Sequence, residues 1–392
     1  MSFVSDKVNK LPPYLFAEIQ QKKRKLQEDG VDVIDLGVGA PDLPTPDFIV
    51  DQLNEESKIA ANHRYSVYSG AEEFKEAVVH FYKKQYSVDL DPETEVLAVI
   101  GSKEGIANLM HATINPGDAV LVPDPGYPVY GTAVHLAGGK RVALPLDDAN
   151  GYIPLYDHVD RESIKQAKLM LLNYPSNPTA ATARYDTFLK AIAFARENRL
   201  LLVHDAAYDM ITFNDYKAPS VMQVPNAKEH AVEFGSLSKS FNMAGWRIGY
   251  VVGNQEVIHA LATLKSNIDS SQFLPIQKAA AAALQSNFSE VRKHNAIYQA
   301  RMEKLYQAFK KLGIKADKPN GTIFLWAKVP DGYTSMSFAN KLLHEAGVIV
   351  TPGNAFGSRG EGYFRVALTV PDERLDDVIS RMGQLNFKEV TS

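Results

Sequence analysis

Lys239 follows Ser236 and Ser238, and Arg247 stands eight residues beyond it, with Gly235 and Gly245 marking the turns between. Two hydroxyl donors and a guanidinium suit the oxygens of a phosphate group, which accept hydrogen bonds from neutral donors and bidentate ones from arginine. A lysine held beside a phosphate and a carbonyl compound is the starting arrangement for Schiff-base chemistry. Taken singly, the lysine reads as a solvated surface residue and the serines as caps of a turn. His204 and Asp205 close the apolar run 200–203. Asp205 caps the next turn, or it is a buried carboxylate facing a protonated ring nitrogen. A metal pair is disfavoured because no third ligand or HExxH spacing stands nearby. Asn173, Tyr174, Pro175, Ser176, Asn177, Pro178 and Thr179 follow another apolar run; composition alone reads them as a rigid loop. Arg365 lies among Tyr363, Phe364, Val366, Ala367 and Leu368, either on a solvent face or paired with an anion.

These residues need a scaffold, and the pattern around them supplies one. Short apolar runs at 96–100, 119–122, 168–172, 200–203, 232–234 and 248–252 alternate with helix-like stretches, which predicts an α/β fold with a largely parallel sheet. Each run ends in polar or glycine residues, and ligand sites in such folds gather outside the carboxyl ends of the strands. Phe74, Ala77, Val78, Phe81 and Tyr82 have the spacing of an amphipathic helix. From about 255 the pattern changes to long helices over 255–285 and 288–312, then a strand at 322–327, a helix at 335–346, a strand at 363–368 and a helix from 371. The expectation is a large domain over 46–285 and a smaller α+β domain built from 1–45, with a strand at 31–36, and 286–392.

Composition narrows the function. The chain has 392 residues, 45% hydrophobic and 22% charged, as globular proteins have. Lysine and arginine number 42 against 46 acidic residues, a net charge of −4, so there is no electrostatic case for nucleic acid or an anionic membrane. With no cysteine, disulfides, thiolate nucleophiles and cysteine-ligated metals are excluded. No run is long enough to span a membrane and the N-terminal segment lacks an apolar signal core, so the expected compartment is the cytoplasm. Gly37 and Gly39 start a GxG, but Asp42 stands where a dinucleotide fingerprint needs its third glycine; Arg141 after Lys140 breaks a P-loop; the basic run 22–25 reads as a solvated helix face.

Taken in order, the segments resemble a fold-type I, pyridoxal-phosphate-dependent aminotransferase of class I/II, similar to aspartate and LL-diaminopimelate aminotransferases. The resemblance runs through Gly37, Gly39, Pro41 and Asp42; Tyr65 and Gly70; Gly101, Ser102 and Lys103; Pro125, Gly126, Tyr127 and Pro128; Asn177, Pro178 and Thr179; Asp205 and Tyr208; Ser236, Ser238 and Lys239; Arg247; and Arg365. It implies a large domain with a mostly parallel seven-stranded sheet. It also implies that Lys239 carries pyridoxal 5'-phosphate as a Schiff base and moves the substrate proton. Asp205 would pair with the pyridine nitrogen, Tyr127 stack on the ring, and Asn177 and Tyr208 bond its phenolic oxygen. Ser102, Lys103, Ser236, Ser238 and Arg247 would hold the phosphate, with Tyr65 reaching it from a second subunit of a homodimer with shared active sites. Arg365 would clamp the substrate carboxylate, Gly39 lie beside the substrate, and Tyr14 line the entrance or simply pack.

The implied reaction is a ping-pong transfer of an amino group from an L-amino acid to a 2-oxo acid. Lys103 tilts the substrate toward dicarboxylic or diaminodicarboxylic compounds. A carbon–sulfur lyase shares the same motifs and is the alternative; a non-enzymatic sensor would need a DNA-binding module, of which there is no sign. One departure stands out: Ala180 occupies the place of the family's usual glycine, which suggests a backbone there that is not left-handed.

Overall fold

The computed structural model describes residues 3–11 and 15–387; Tyr14 lies outside them. In chain order the strands are β1 (Ile34–Asp35), β2 (Val96–Val99), β3 (Ala119–Asp124), β4 (Lys140–Pro145), β5 (Ala167–Asn173), β6 (Leu201–Asp205), β7 (Ala231–Ser236), β8 (Gly249–Gly253), β9 (Phe324–Lys328), β10 (Val348–Ile349), β11 (Thr351–Pro352) and β12 (Tyr363–Ala367). Seven of them form one sheet in the order β2-β8-β7-β6-β5-β3-β4. Only β8 runs against its neighbours.

Alternate residues along these strands enter different cores. Leu97, Val99, Val120, Leu171 and Val203 pack on one face, and Val96, Ala98, Leu121, Leu172 and Leu202 on the other. Both faces are covered, which is why the strands read as continuous apolar runs. The helix Glu72–Tyr86 turns Phe74, Ala77, Val78, Phe81 and Tyr82 into the second of these cores, all at 1% exposure or less, as its spacing predicts. A separate core joins Phe364 and Val366 of β12, Leu325 of β9, and Tyr298, Met302, Leu305 and Phe309 of the helix Ser289–Lys311. There β12 pairs antiparallel with both β9 and β11.

Several expectations needed correction. The stretch 255–285 is two helices, Gln255–Ser266 and Leu274–Gln285. The break is local chemistry: Asp269 accepts from the Ser271 N–H at 2.8 Å, Asn267 bonds back to Thr263, and Pro275 suits only a helix start. The expected strand at 31–36 pairs only through Ile34 and Asp35, opposite the two residues of β10. Strand β4 carries a weak sequence signal because it is a sheet-edge strand that opens on the exposed Lys140 and Arg141 and has its buried residues only at the end, Leu144 and Pro145. Among the described residues no helix is long and apolar enough to cross a membrane.

Candidate active site

The carboxyl ends of β5, β6 and β7 open into a cavity of about 310 Å³, closed from the other side by Val38, Gly39, Phe324 and Arg365. Of the residues singled out in the sequence, Gly39, Ser102, Lys103, Tyr127, Asn177, Asp205, Tyr208, Ser236, Ser238, Lys239, Arg247 and Arg365 all line it. Tyr65 does not; it is 91% exposed. The lining holds four cationic side chains and one carboxylate, an excess suited to an anionic ligand.

Asp205 is that carboxylate. The last residue of β6, it is buried, and its Oδ2 accepts from the Tyr130 hydroxyl at 2.8 Å. Its Oδ1 is buried with no partner. Burial pushes its pKa up, against the pull of the Tyr130 bond. The position is fixed through the backbone: Asn173 Nδ2 donates to the Asp205 carbonyl at 2.7 Å, and Asn173 Oδ1 accepts from the Asn177 N–H at 2.7 Å. Tyr130 and Asn173 were not among the predicted site residues. Both lie in the predicted motifs' immediate neighbourhood, but a contact across 75 residues leaves no trace in local spacing. His204, one residue earlier, faces the other way into Glu233 and Tyr174, so the two do not form a metal pair.

Lys239 sits in the short helix Leu237–Ser240 directly after β7. Its Nζ donates to Gly39 O at 2.7 Å. Burial, with Arg365 and Arg247 nearby, brings its pKa down to about 8, so a neutral, nucleophilic amine is accessible near physiological pH. Ser236 caps this helix by accepting from the Ser238 N–H at 3.2 Å, and it also lines the cavity. Gly39 approaches so closely that a Cβ there would lie 2.4 Å from the Phe324 ring.

Arg365 of β12 is 2% exposed, which settles its orientation in favour of the cavity. Its guanidinium donates to Asn177 Oδ1 at 2.7 Å and Gly37 O at 2.6 Å, and lies 4.1 Å from the Phe324 ring centroid. Burial lowers its pKa to about 10, which leaves it a cation at neutral pH. Burial raises Tyr208, so it is a neutral hydroxyl there. Opposite stands the N-terminus of the helix Ser102–Thr113, a source of backbone N–H groups and positive potential. Gly101 precedes it at φ +84°, where a Cβ would meet Arg247 Nη2 at 2.3 Å.

Ala180 corrects the sequence reading: its φ is +56°, so the left-handed backbone is kept although the glycine is not. The turn demands it, since Ala180 N–H donates to Ser176 O and Ser176 N–H to Ala181 O.

A seven-stranded α/β sheet with Lys239 and Asp205 at its carboxyl edge, faced by Arg365 from the small sheet, is the arrangement that the resemblance to fold-type I pyridoxal-phosphate enzymes implies. The match to the family model "Aminotransferase class I and II" over residues 31–382 agrees. The chain belongs to that family, whose members use pyridoxal phosphate, and is a pyridoxal-phosphate-dependent aminotransferase. It is 48% identical over 382 residues to the LL-diaminopimelate aminotransferase of Moorella thermoacetica, covering 97% of each chain. It is 46% identical to the enzyme of that name from Aquifex aeolicus, over 98% of this chain and 99% of the relative. Among solved structures, apo-BacF from Bacillus subtilis superposes with a TM-score of 0.95 at 39% identity, covering 99% of this chain and 100% of the other.

Proposed function

We propose that the cavity holds pyridoxal 5'-phosphate and that the substrate is LL-diaminopimelate, with a 2-oxo acid as the second partner. The observation that carries the cofactor reading is the unpartnered Oδ1 of Asp205. A buried carboxylate oxygen with no donor is costly unless a ligand supplies one, and a protonated ring nitrogen would. The cofactor, when bound, supplies an electron sink that makes the substrate's α-hydrogen acidic.

The chain's own residues do the rest. Lys239 would hold the cofactor and would move the proton at the substrate's Cα; a pKa near 8 suits it to both accepting and returning that proton. Asp205 keeps the ring nitrogen protonated, and Tyr130 holds Asp205 in place. Tyr127, Asn177 and Tyr208, all in the lining, would hold the ring, Tyr127 by stacking and the other two by hydrogen bonds to its phenolic oxygen. Ser102, the Lys103 backbone, Ser236, Ser238 and Arg247 would receive the phosphate. Arg365, already oriented by Asn177, binds the α-carboxylate through its planar fork, and Gly39 leaves room for the substrate beside Lys239.

Full-length similarity to two LL-diaminopimelate aminotransferases supports the substrate, together with Lys103 in the lining as a cation for its distal carboxylate. A homodimer is part of the reading. Tyr65, Val67, Tyr68, Ile268 and Phe273 are exposed apolar side chains on segments joined by the Gln277–Ser66 bond and the His63–Phe273 ring contact. A second copy covering them would receive Tyr65 at its phosphate. The division into a large domain over 46–285 and a small one from 1–45 and 286–392 belongs to the same reading, since the two sheets carry separate cores.

The test uses single amino acids without an acceptor: the loaded enzyme is mixed with each and the 2-oxo acid released in one turnover is measured. LL-diaminopimelate is expected to react fastest, ahead of glutamate and aspartate, with methionine and phenylalanine slowest. Fastest reaction with a neutral or aromatic amino acid would overturn the substrate and leave the aminotransferase.

A further inference from the structure

The two arms of the phosphate cradle come from neighbouring antiparallel strands. One arm is the turn after β2, which leads through Gly101 to Ser102; the other is the turn ending at Arg247, just before β8. Their backbone ladder stops at the pair Val99 and Gly249, and beyond it the register joins the two arms by no further ladder pair. The cradle's geometry therefore depends on whatever spans them there.

Gln272 spans them. It lies in the break between the helices Gln255–Ser266 and Leu274–Gln285, and it is 7% exposed. Its Nε2 donates to Val99 O at 2.6 Å and to Arg247 O at 3.0 Å, adding a side-chain rung where the strand ladder ends. Both partners are carbonyls, so only the NH₂ end of the amide satisfies them. The Oε1 end accepts from the Ser271 hydroxyl at 3.1 Å. Gln277, fully buried, holds the segment from behind: its Nε2 donates to Gln272 O at 2.9 Å and to Ser66 Oγ at 2.9 Å, and its Oε1 accepts from the Ala71 N–H at 2.6 Å. Arg247 itself stands so close to Gly101 that no Cβ fits between the arms. A small shift of either arm would therefore move the guanidinium relative to the helix N-terminus at Ser102.

We infer that Gln272 is a positioning residue that sets the spacing of the phosphate cradle, through Val99 and Arg247 carbonyls, without touching the ligand. This rests on the reading of Ser102 and Arg247 as phosphate ligands. It predicts a selective effect: loss of Gln272 weakens binding of the phosphorylated cofactor and spares binding of its dephosphorylated form.

The experiment titrates the apoprotein with pyridoxal 5'-phosphate and with pyridoxal, for the wild type, Gln272→Met and Gln272→Asn. Methionine matches the side chain's length without its donors; asparagine keeps an amide too short to reach both carbonyls. Each apoprotein's melting temperature is recorded, and if the methionine variant does not fold the asparagine variant carries the test. The wild type is expected to prefer the phosphorylated form, and the variants to lose about tenfold of that preference while binding pyridoxal unchanged. An unchanged preference overturns the inference, as does an equal loss for both ligands, which would make Gln272 a general structural residue. A wild type with no preference for the phosphorylated form would instead overturn the cradle reading, and the inference with it.

Discussion

Two buried carboxylates lie close together at the sheet, and their surroundings differ completely. Glu233 of β7 accepts four hydrogen bonds: from Tyr82 and Ser220 hydroxyls at 2.7 and 2.6 Å, from His204 Nδ1 at 2.7 Å and from the Val221 N–H at 2.8 Å. Burial pushes its pKa up, but those donors outweigh it and the group stays below the ordinary value. Asp205, on adjacent β6, has a single side-chain donor and an empty Oδ1, and burial leaves its pKa raised. Glu233 is a finished network that stabilises the fold. Asp205 keeps an oxygen without a hydrogen-bond partner at the cavity wall, where on the proposed reading a cationic ligand group would meet it. Burial alone does not separate the two; the count of donors does.

The largest expected effect comes from the incomplete carboxylate. Asp205→Asn should reduce kcat by about 10²–10³-fold, as loss of a single preorganised electrostatic partner does, with little change in the melting of the apoprotein. Measured kcat and apo melting temperature check both halves. The finished network should respond oppositely: Glu233→Gln turns an NH₂ toward existing donors and is expected to cost about 3 kcal/mol in denaturant unfolding, while kcat stays nearly unchanged. If the two variants exchanged these phenotypes, the contrast between the sites would collapse.

Lys239 sharpens the comparison through pH. Its pKa is about 8 in the folded chain against an ordinary 10.5, so between those values the unfolded chain binds the extra proton. Apoprotein stability should therefore rise with pH across that window relative to Lys239→Met, which carries no such proton. The rate of attachment of pyridoxal phosphate should climb with pH and level off above about 8, as the neutral amine becomes the main form. Flat profiles in both would mean the amine is not perturbed by its burial. The smallest effect concerns Ala180: replacing it with glycine relieves a left-handed Cβ and should add about 1 kcal/mol of stability, read from urea unfolding.

What the sequence revealed follows from how far each signal reaches. The helix Glu72–Tyr86 and the ends of β5, β6 and β7 were visible because periodicity and apolar runs are local, and they placed Asp205 and Lys239 at the sheet's edge. Roles such as that of Arg365 came only through resemblance, because its spacing left two orientations open. Tyr130 and Gln272 went unread since their partners are 75 and 173 residues away. At Ala180 the absence of glycine does not signal a changed backbone, because the turn around Ser176 holds the left-handed φ with alanine in place.

The most direct test of the account is the protonation state of the bound cofactor's ring nitrogen, read from its ¹⁵N chemical shift at pH 8 with labelled pyridoxal phosphate. A protonated nitrogen is expected in the wild type and an unprotonated one in Asp205→Ala, with Glu233→Gln matching the wild type. An unprotonated nitrogen in the wild type would contradict it, because the empty oxygen of Asp205 would then have no cationic partner.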